Sequence, residues 1–519
     1  MTLRHLIPLA TALFAVIVGL IIAGAPASGV SVFVAGLAVV VAFAVVAGVR
    51  EVRLAVDALP PLDETGRWDT PLRTWFQRTF AATTPSEPGA RTRRFRTFDT
   101  LIEVPAFRWY LLSQIGNQSA QLMQMVVRGF LAYHITGSFA ALGAVELASS
   151  IPRLFLALYG GVVADRSSRR VIIQTGQVCN AVLSAILAVL FFAGQLRFEY
   201  LVLGALIQGV VNSFVMPARQ SMIPEVVGRD RLMNAFALNA LMMNVLRLGA
   251  PALAGGMIAA VGAGWVYVLM AMLFLFGLVT LFRVPKTDAR SRATARATAD
   301  GAPPPLPGLP PLRVEDRSGL RAIKEALVYL RGQRTLRLLL VLHVCVGILS
   351  LPYQRLLPGF VDTVLSGGDP SRTATLMGAL LSFTAIGALA GSFLIASLPN
   401  RNRGKLLIAS LVIFAVGLLA FSASESFWLS ASIVVVLGVG QAGRQSLVQI
   451  LIQSNVSDEY RGRVSSIVVL EDGIESFGIF MIALLAEAVG PQLALGAVAI
   501  ALALFAAGTW SSRSIRELP

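Results

Sequence analysis

Nine ionisable side chains, Arg128, Glu146, Arg153, Arg247, Arg355, Arg444, Glu471, Asp472 and Glu475, stand inside runs that are otherwise apolar. Buried at mid-depth in hydrocarbon, each charge costs about 2.5–3.5 kcal/mol, so nine facing lipid would cost on the order of 25 kcal/mol. They must instead face a cavity, an interface or one another. At 1.5 Å per residue, Arg128 lies roughly 8 Å from one end of its run, and Glu146 about 12 Å from the adjoining start of the next. Similar depth on neighbouring helices lets them pair. Arg153, seven residues after Glu146, falls on the same face a turn or two deeper. A carboxylate among arginines is either a static salt bridge or a site that exchanges an arginine for a proton. Glu471 and Glu475 share a face at i, i+4 spacing beside Asp472, which suits a proton site or capture of a cationic group; pairing with Arg247 or Arg444 is the alternative. Arg247 and Arg444 themselves suit either seam salt bridges or substrate contact, and Arg355 is expected near the surface. Gln114, Asn117, Gln118, Gln121 and Gln124 form a neutral polar ladder fit for a cavity wall.

No catalytic constellation competes with these residues. His5, His134 and His343 are scattered, no metal-ligand spacing occurs, and no Gly-rich Lys-Ser/Thr phosphate loop is present. Cys179 and Cys345 offer neither a disulfide framework nor a zinc pattern. The reading is a non-enzyme without cofactor or metal.

The elements that must carry the charges follow from composition. The chain has 519 residues, 56% hydrophobic and 14% charged, against about 25% charged in an ordinary soluble domain. A soluble multidomain enzyme is excluded. Windows of about 20 apolar residues give about fourteen spans, arranged as two, six and six. The resulting organisation is a transmembrane hairpin over 1–49, a linker over 50–108, a six-helix bundle over 109–283, a second linker over 284–335, a second bundle over 336–510 and a tail over 511–519. Arg4, His5 and Ala25-Pro26-Ala27 also resemble a cleavable signal peptide, but the long apolar run and the span that follows favour an uncleaved hairpin.

The net charge of +15 permits a nucleic-acid binder until the basic residues are placed. One set of alternate loops carries only Arg197 and Arg372, and Arg128, Arg153, Arg247, Arg355 and Arg444 lie within spans. All the rest, Arg219 among them in an expected loop over 217–231, fall on the other side. The surplus is therefore a topology signal that puts both termini and both linkers in the cytoplasm of a cell with an inner membrane. Nucleic acid is excluded as a partner. In the first linker, Trp68, Leu72, Trp75, Phe76 and Phe80 recur at helical spacing, as for a helix lying on the membrane surface or packed under the bundle. In the second, Pro303–Pro305, Pro307, Pro310 and Pro311 precede a short amphipathic helix with Leu320, Ile323, Leu327 and Leu330 on one face.

The two bundles echo each other. Arg219-Gln220-Ser221 recurs as Arg444-Gln445-Ser446, and the spacing of the span starts agrees with that offset, as in transporters built from repeated halves about a midplane site. Between the second and third spans of the block the chain reads Gly160-Gly161-Val162-Val163-Ala164-Asp165-Arg166-Ser167-Ser168-Arg169-Arg170. This resembles the signature loop of the major facilitator superfamily. The resemblance implies a cytoplasmic gate built from Gly161, Asp165, Arg166, Arg169 and Arg170, with Ser168 where the family has Gly. The matching loop of the second half, Pro399–Lys405, is basic but lacks the acid, so any latch is asymmetric. Met216-Pro217-Ala218-Arg219-Gln220-Ser221-Met222-Ile223-Pro224-Glu225, with Ser457–Val464, is similar to the branch that includes the enterobactin exporter and the macrolide-efflux proteins, the transmembrane secretion effector type. Gly249, Pro251, Gly255 and Gly256 resemble the helix-5 motif of the superfamily's exporters, with Ala250 where Gly is expected. Proline and small residues there favour a bent, closely crossed helix.

The resemblance covers about residues 100–510 and implies an all-α membrane protein of six-plus-six pseudo-symmetric helices; the extra hairpin, read from its apolar windows, precedes it. The resemblance also implies a monomeric, proton-coupled exporter of a small amphipathic compound such as a drug or siderophore, in contact with membrane lipid. A lipid or lysolipid mover, and a scaffold or sensor that does not transport, are the alternatives.

Overall fold

The computed structural model describes residues 99–228, 231–284, 333–398, 402–456, 461–511 and 516. The expected hairpin, the linker helix around Trp68–Phe80, the Pro-rich stretch and the helix around Leu320–Leu330 lie outside the described residues.

All regular structure among the described residues is helical. After a short leading helix, Asp99–Glu103, come α1 (Pro105–Thr136), α2 (Phe139–Arg166), α3 (Arg169–Phe192), α4 (Phe198–Val227), α5 (Leu232–Val261) and α6 (Ala263–Leu281). The second six begin with α7, which has three segments, Arg334–Ser350, Pro352–Phe360 and a π-helical turn Val361–Ser366. They continue as α8 (Pro370–Ser397), α9 (Arg403–Ser422), α10 (Phe427–Asn455), α11 (Arg461–Val489) and α12 (Pro491–Ser511). Ten of these are long and apolar enough to cross a membrane. The other two are α1 and α11, the helices that carry the polar ladder and the Glu471–Glu475 acids.

Tight glycine turns separate the helices. Gly137 ends α1 in the left-handed region (φ 64°) and donates its N–H to the Tyr133 carbonyl at 2.7 Å, a geometry that a residue without Cβ adopts at least cost. Ser138 then caps α2, its hydroxyl accepting the Ala141 N–H at 3.3 Å. Asp369 caps α8 the same way.

Two spans depart from the sequence expectation. α4 does not stop at Pro217 but runs through Pro217 and Pro224 to Val227, so Arg219 is a buried helical residue and not a loop cation. Tertiary packing outweighs the proline penalty here, because Ala218, Met222, Ile223 and Val227 bury against Phe107, Tyr110 and Ile173. α7 breaks at Leu351–Pro352, since Pro352 has no N–H to continue the ladder. Leu351 keeps helical dihedrals, so the span continues past the break to Ser366.

The two halves meet along two seams, α2 with α11 and α5 with α8. Contacts across both seams crowd toward one end of the bundle, the end that holds Gly137. On the first seam, a Cβ on Gly143 would sit 2.8 Å from Phe480 and Ala483, and the Ser476 hydroxyl reaches the Ser150 hydroxyl at 2.6 Å. On the second, a Cβ on Gly255 would meet the Ala374 carbonyl, and one on Gly378 would sit 2.7 Å from the Pro251 carbonyl. The Ser382 hydroxyl donates to the Leu248 carbonyl at 2.7 Å. Toward the opposite end, which holds Arg169, the seam faces of α5 and α8 are uncovered. α5 continues its seam row through Ala240, Ala237 and Met233, all exposed, and α8 through Ile386, Ala390 and Phe393, also exposed. Along α5 and α8 the halves are packed at the Gly137 end and splayed at the Arg169 end.

Candidate functional site

The deepest charged cluster at the packed end joins three helices from both halves. Arg128 of α1 approaches the Glu146 carboxylate of α2 at 3.7 Å, and Arg355 of α7 holds its other oxygen at 3.2 Å. The depth argument from sequence thus brings Arg128 and Glu146 together. Arg355, expected near the surface, keeps its side chain 31% exposed and reaches across the seam to Glu146. Glu146 is 7% exposed, so two guanidinium partners are what allow the carboxylate to stay ionised away from bulk water. A cavity of about 30 Å³ lies against the triad, lined by Arg128, Glu146, Gln354, Arg355, Met377 and Leu381, room for a few water molecules at most.

Arg128 is held from behind. Its Nη1 donates to Gln208 Oε1 of α4 at 3.0 Å, and the Gln208 amide donates in turn to Gln124. This is the upper rung of an antiparallel ladder between α1 and α4. Gln121 donates to Asn212 at 3.4 Å, and Arg219 donates to Gln114 at the lower end. The α1 members Gln114, Gln121 and Arg128 are seven residues apart, and the α4 members descend in register, as two nearly straight helices require. The polar ladder of the sequence is therefore largely paired within the first half. Asn117 donates to Gln118 at 3.1 Å, and Gln118 reaches Met243 Sδ of α5 at 3.0 Å. Gln208 and Asn212 were missed in the sequence. Their signal is an amide pair at i, i+4 inside an otherwise apolar helix.

Arg153 lies below the triad on α2, donating to Ser150 Oγ at 2.6 Å and to the Ser149 carbonyl at 3.3 Å. Through Ser150 and Ser476 it connects to α11, next to Glu475. The side chains of Glu471 and Asp472 lie outside the described residues. In the second half, Gln354 of α7 donates to Gln441 of α10 at 3.1 Å and to the Tyr353 hydroxyl at 3.0 Å. Arg444, the repeat counterpart of Arg219, is 2% exposed.

At the splayed end, Arg169 donates to Glu225 at 3.0 Å and to the Ser221 carbonyl at 2.6 Å. Arg170 caps the end of α6 through the Val284 and Phe282 carbonyls, at 2.5 and 2.9 Å, and lies over the Phe282 ring. These two members of the expected gate tie α3 to α4 and α6 within one half. The side chains of Gly161, Asp165 and Arg166 lie outside the described residues. Of the helix-5 motif, Gly255 makes the closest approach to α8, and Pro251 is buried at the same crossing. Gly256 is buried too, and Gly249 half-buried.

Sequence reading also missed Glu487, in the last turn of α11. Its Oε2 accepts the Phe139 N–H at 2.5 Å, the Ala140 N–H at 3.2 Å and the Ser138 hydroxyl at 3.1 Å, placing an anion on the free N–H groups that open α2. The contact crosses the seam. Outside the spans, Asp369 is held below the ordinary carboxylate range by hydrogen bonds from the Ser371 hydroxyl and the Arg372 and Ser371 N–H groups. Among the described residues, no group of three or more His, Cys, Asp or Glu is placed to hold a metal.

The chain matches the family described as Major Facilitator Superfamily over residues 110–471. It is 19% identical to the Staphyloferrin A transporter of Staphylococcus aureus (strain NCTC 8325 / PS 47), over 67% of this chain and 81% of that one. It is 23% identical to the uncharacterized MFS-type transporter YfiS of Bacillus subtilis (strain 168), over 70% of this chain and 84% of that one. In structure it is similar to the nucleoside transporter NupG, with a TM-score of 0.58 at 14% identity over 78% of this chain and 100% of NupG. It is also similar to a variant of the peptide transporter POT bound to alafosfalin, with a TM-score of 0.58 at 12% identity over 80% of this chain and 96% of that one.

Proposed function

The chain belongs to the Major Facilitator Superfamily as a multi-pass membrane transporter, and from that premise we propose that it is a proton-coupled exporter of a small amphipathic compound. The observation that carries the reading is the seam, packed and ion-paired at one end and splayed at the other. A scaffold has no need of a crossing that is closed on one side only. The basic loops assign the Arg169 end to the cytoplasm, so the arrangement described is the one that admits substrate from inside, with both termini cytoplasmic in the inner membrane. The export-type packing of Gly255 and Pro251 on α8, and the similarity of the Met216–Glu225 run to siderophore and macrolide exporters, favour outward transport. The similarity to a staphyloferrin A transporter fits a siderophore-like substrate.

The coupling step follows from the triad. Opening the Gly137 end carries Arg355 away with the second half, because Arg355 and Glu146 belong to different halves. Glu146 then faces outside water with one guanidinium partner fewer, and a proton from that water binds its carboxylate oxygen. When the halves close again, Arg355 returns to that oxygen and the proton leaves to water on the cytoplasmic side. Gln208 keeps Arg128 fixed through both positions, so the exchange involves Arg355 and the proton alone. Gly161, Asp165, Arg166, Arg169 and Arg170 form the cytoplasmic gate of the opposite phase, and Arg153, Glu471, Asp472 and Glu475 continue the proton or substrate path into α11.

The test is accumulation of amphipathic dyes in everted vesicles. An imposed proton gradient drives uptake by the wild-type protein, and Glu146→Gln removes the gradient dependence. Transport by Glu146→Gln that still follows the gradient rejects the coupling assignment.

A further inference from the structure

Arg247 stands at the midpoint of α5, 15 residues from Leu232 and 14 from Val261, in the middle of a membrane span. It is exposed and forms no ion pair among the described residues. A guanidinium so placed must face either lipid or water. Helix geometry decides which. At 100° per residue, Arg247 lies on the row that runs from Met233 through Ala240 and Asn244 to Pro251 and Gly255. At the Gly137 end that row packs against α8. One turn from Arg247, on the adjoining side, Met243 accepts the hydrogen bond from Gln118 of α1. The face is thus bounded by α1 and α8, helices of the two halves, and Arg247 sits where the seam begins to splay. It looks into the space between the halves.

A second cation lies in the same half. Arg219 is 5% exposed, and its Nε and Nη2 have no hydrogen-bond partner among the described residues. The buried acid of this half, Glu146, is already shared by Arg128 and Arg355. Among the described residues, the first half therefore carries guanidinium charge at Arg247 and Arg219 that no carboxylate neutralises. An uncompensated guanidinium in a narrow, low-dielectric cleft is a costly arrangement that an arriving oxyanion relieves.

We propose that the transported compound is anionic, and that Arg247 receives its carboxylate or phosphate oxygens at the vertex of the cytoplasm-facing cleft. This rests on the transport reading and adds the charge class of the substrate. The apolar part of the compound lies against the uncovered faces of α5 and α8, and Arg219 raises the positive potential deeper in the half.

The experiment measures binding with no gradient, so its failure is distinct from failure of proton coupling. Protein in phosphatidylcholine nanodiscs is titrated with dansyl-labelled undecanoate and with its methyl ester, and empty discs are subtracted. A charge-assisted hydrogen bond predicts preference for the acid by about tenfold or more. Arg247→Gln erases the preference, and Arg247→Lys, which keeps the charge, retains part of it. Phosphatidylglycerol in the discs distinguishes the source of the oxyanion: if it lowers undecanoate affinity in the wild type and not in Arg247→Gln, the site takes lipid phosphate as well. Equal binding of acid and ester, binding of neither, or a preference that survives Arg247→Gln overturns the proposal. Position is checked with Arg247→Cys in a Cys179→Ser, Cys345→Ser background. A membrane-impermeant methanethiosulfonate added from the cytoplasmic side labels Cys at 247 if the side chain faces the cleft, and absence of labelling overturns the placement.

Discussion

Replacing Glu146 by Gln removes one negative charge from between two guanidinium groups and leaves the shape almost unchanged. The side chains of Glu146 and Arg128 are 9% and 11% exposed, and that of Arg355 is 31% exposed. Stripping one partner from a buried pair costs about 3–5 kcal/mol, and Arg128 bears most of it, with only Gln208 left as a partner. That loss is common to both arrangements of the halves, so it lowers stability without changing their balance. Arg355 contributes differently, because its bond to Glu146 exists only when the Gly137 end is closed. Its exposure screens the interaction, and a value of about 1–2 kcal/mol is reasonable for the closed arrangement alone. That corresponds to a shift of roughly five- to thirtyfold toward the arrangement open at the Gly137 end. Spin labels at Thr136 and Val489, on the ends of α1 and α11, report the separation directly. Glu146→Gln is expected to lower the melting temperature and to broaden or lengthen the label distance, while Arg355→Gln lengthens the distance with a smaller loss of stability. An unchanged distance distribution in both variants would refute the claim that this triad holds the halves together.

Three further outcomes follow from the seam and the caps. Gly255→Leu places a side chain against the α8 backbone at Ala374 and Gly378, so it should disfavour the closed Gly137 end by about 1–3 kcal/mol; the same distance measurement across α5 and α8 lengthens, with helix content unchanged by circular dichroism. Glu487→Gln keeps an acceptor for the start of α2 but removes the charge, which predicts a loss of about 0.3–1 kcal/mol at that contact and faster labelling of cysteines near Ser138 by impermeant reagents. Asp369 has a folded pKa below its unfolded one, so its capping contribution is present at neutral pH and is lost as pH falls through the folded value. Wild type and Asp369→Asn should differ in melting temperature at neutral pH and converge in acid; a difference that is constant across the range would reject the cap as its cause.

The membrane helices and the pairing of Arg128 with Glu146 were legible because both depend on one-dimensional quantities, apolar length and depth along a helix. The polar stripe on α1 was legible as a stripe, but its partners on α4 were not, since periodicity names a face and not the neighbour that covers it. Apolar length ends the fourth window near residue 217 and so leaves Arg219 in a loop, although the helix continues through Pro217 and Pro224. In the fold, the burial of Met222 and Ile223 outweighs them. Arg355 is legible in depth but not in direction: nearness to the end of its span does not say which neighbouring helix supplies a partner, and the partner is Glu146 of the other half. Glu487 lies one turn from a helix end, where an acid carries no distinctive sequence pattern, and only the approach of α2 from the other half gives it a role.

The polarity of α1 and α11 has a consequence for how the chain enters the membrane. α1 lacks a stretch apolar enough to enter lipid unaided, α11 carries Glu471, Asp472 and Glu475 in its apolar run, and the amides of α1 are satisfied by α4, a helix made some 60 residues later. Until α4 arrives, α1 must wait beside the translocon, or remain hydrated within it, with its neighbour α2 as company. The first half therefore matures as a unit and not helix by helix. A single cysteine in α1 should stay open to water-soluble thiol reagents in nascent chains halted after α2 and become protected in chains halted after α4.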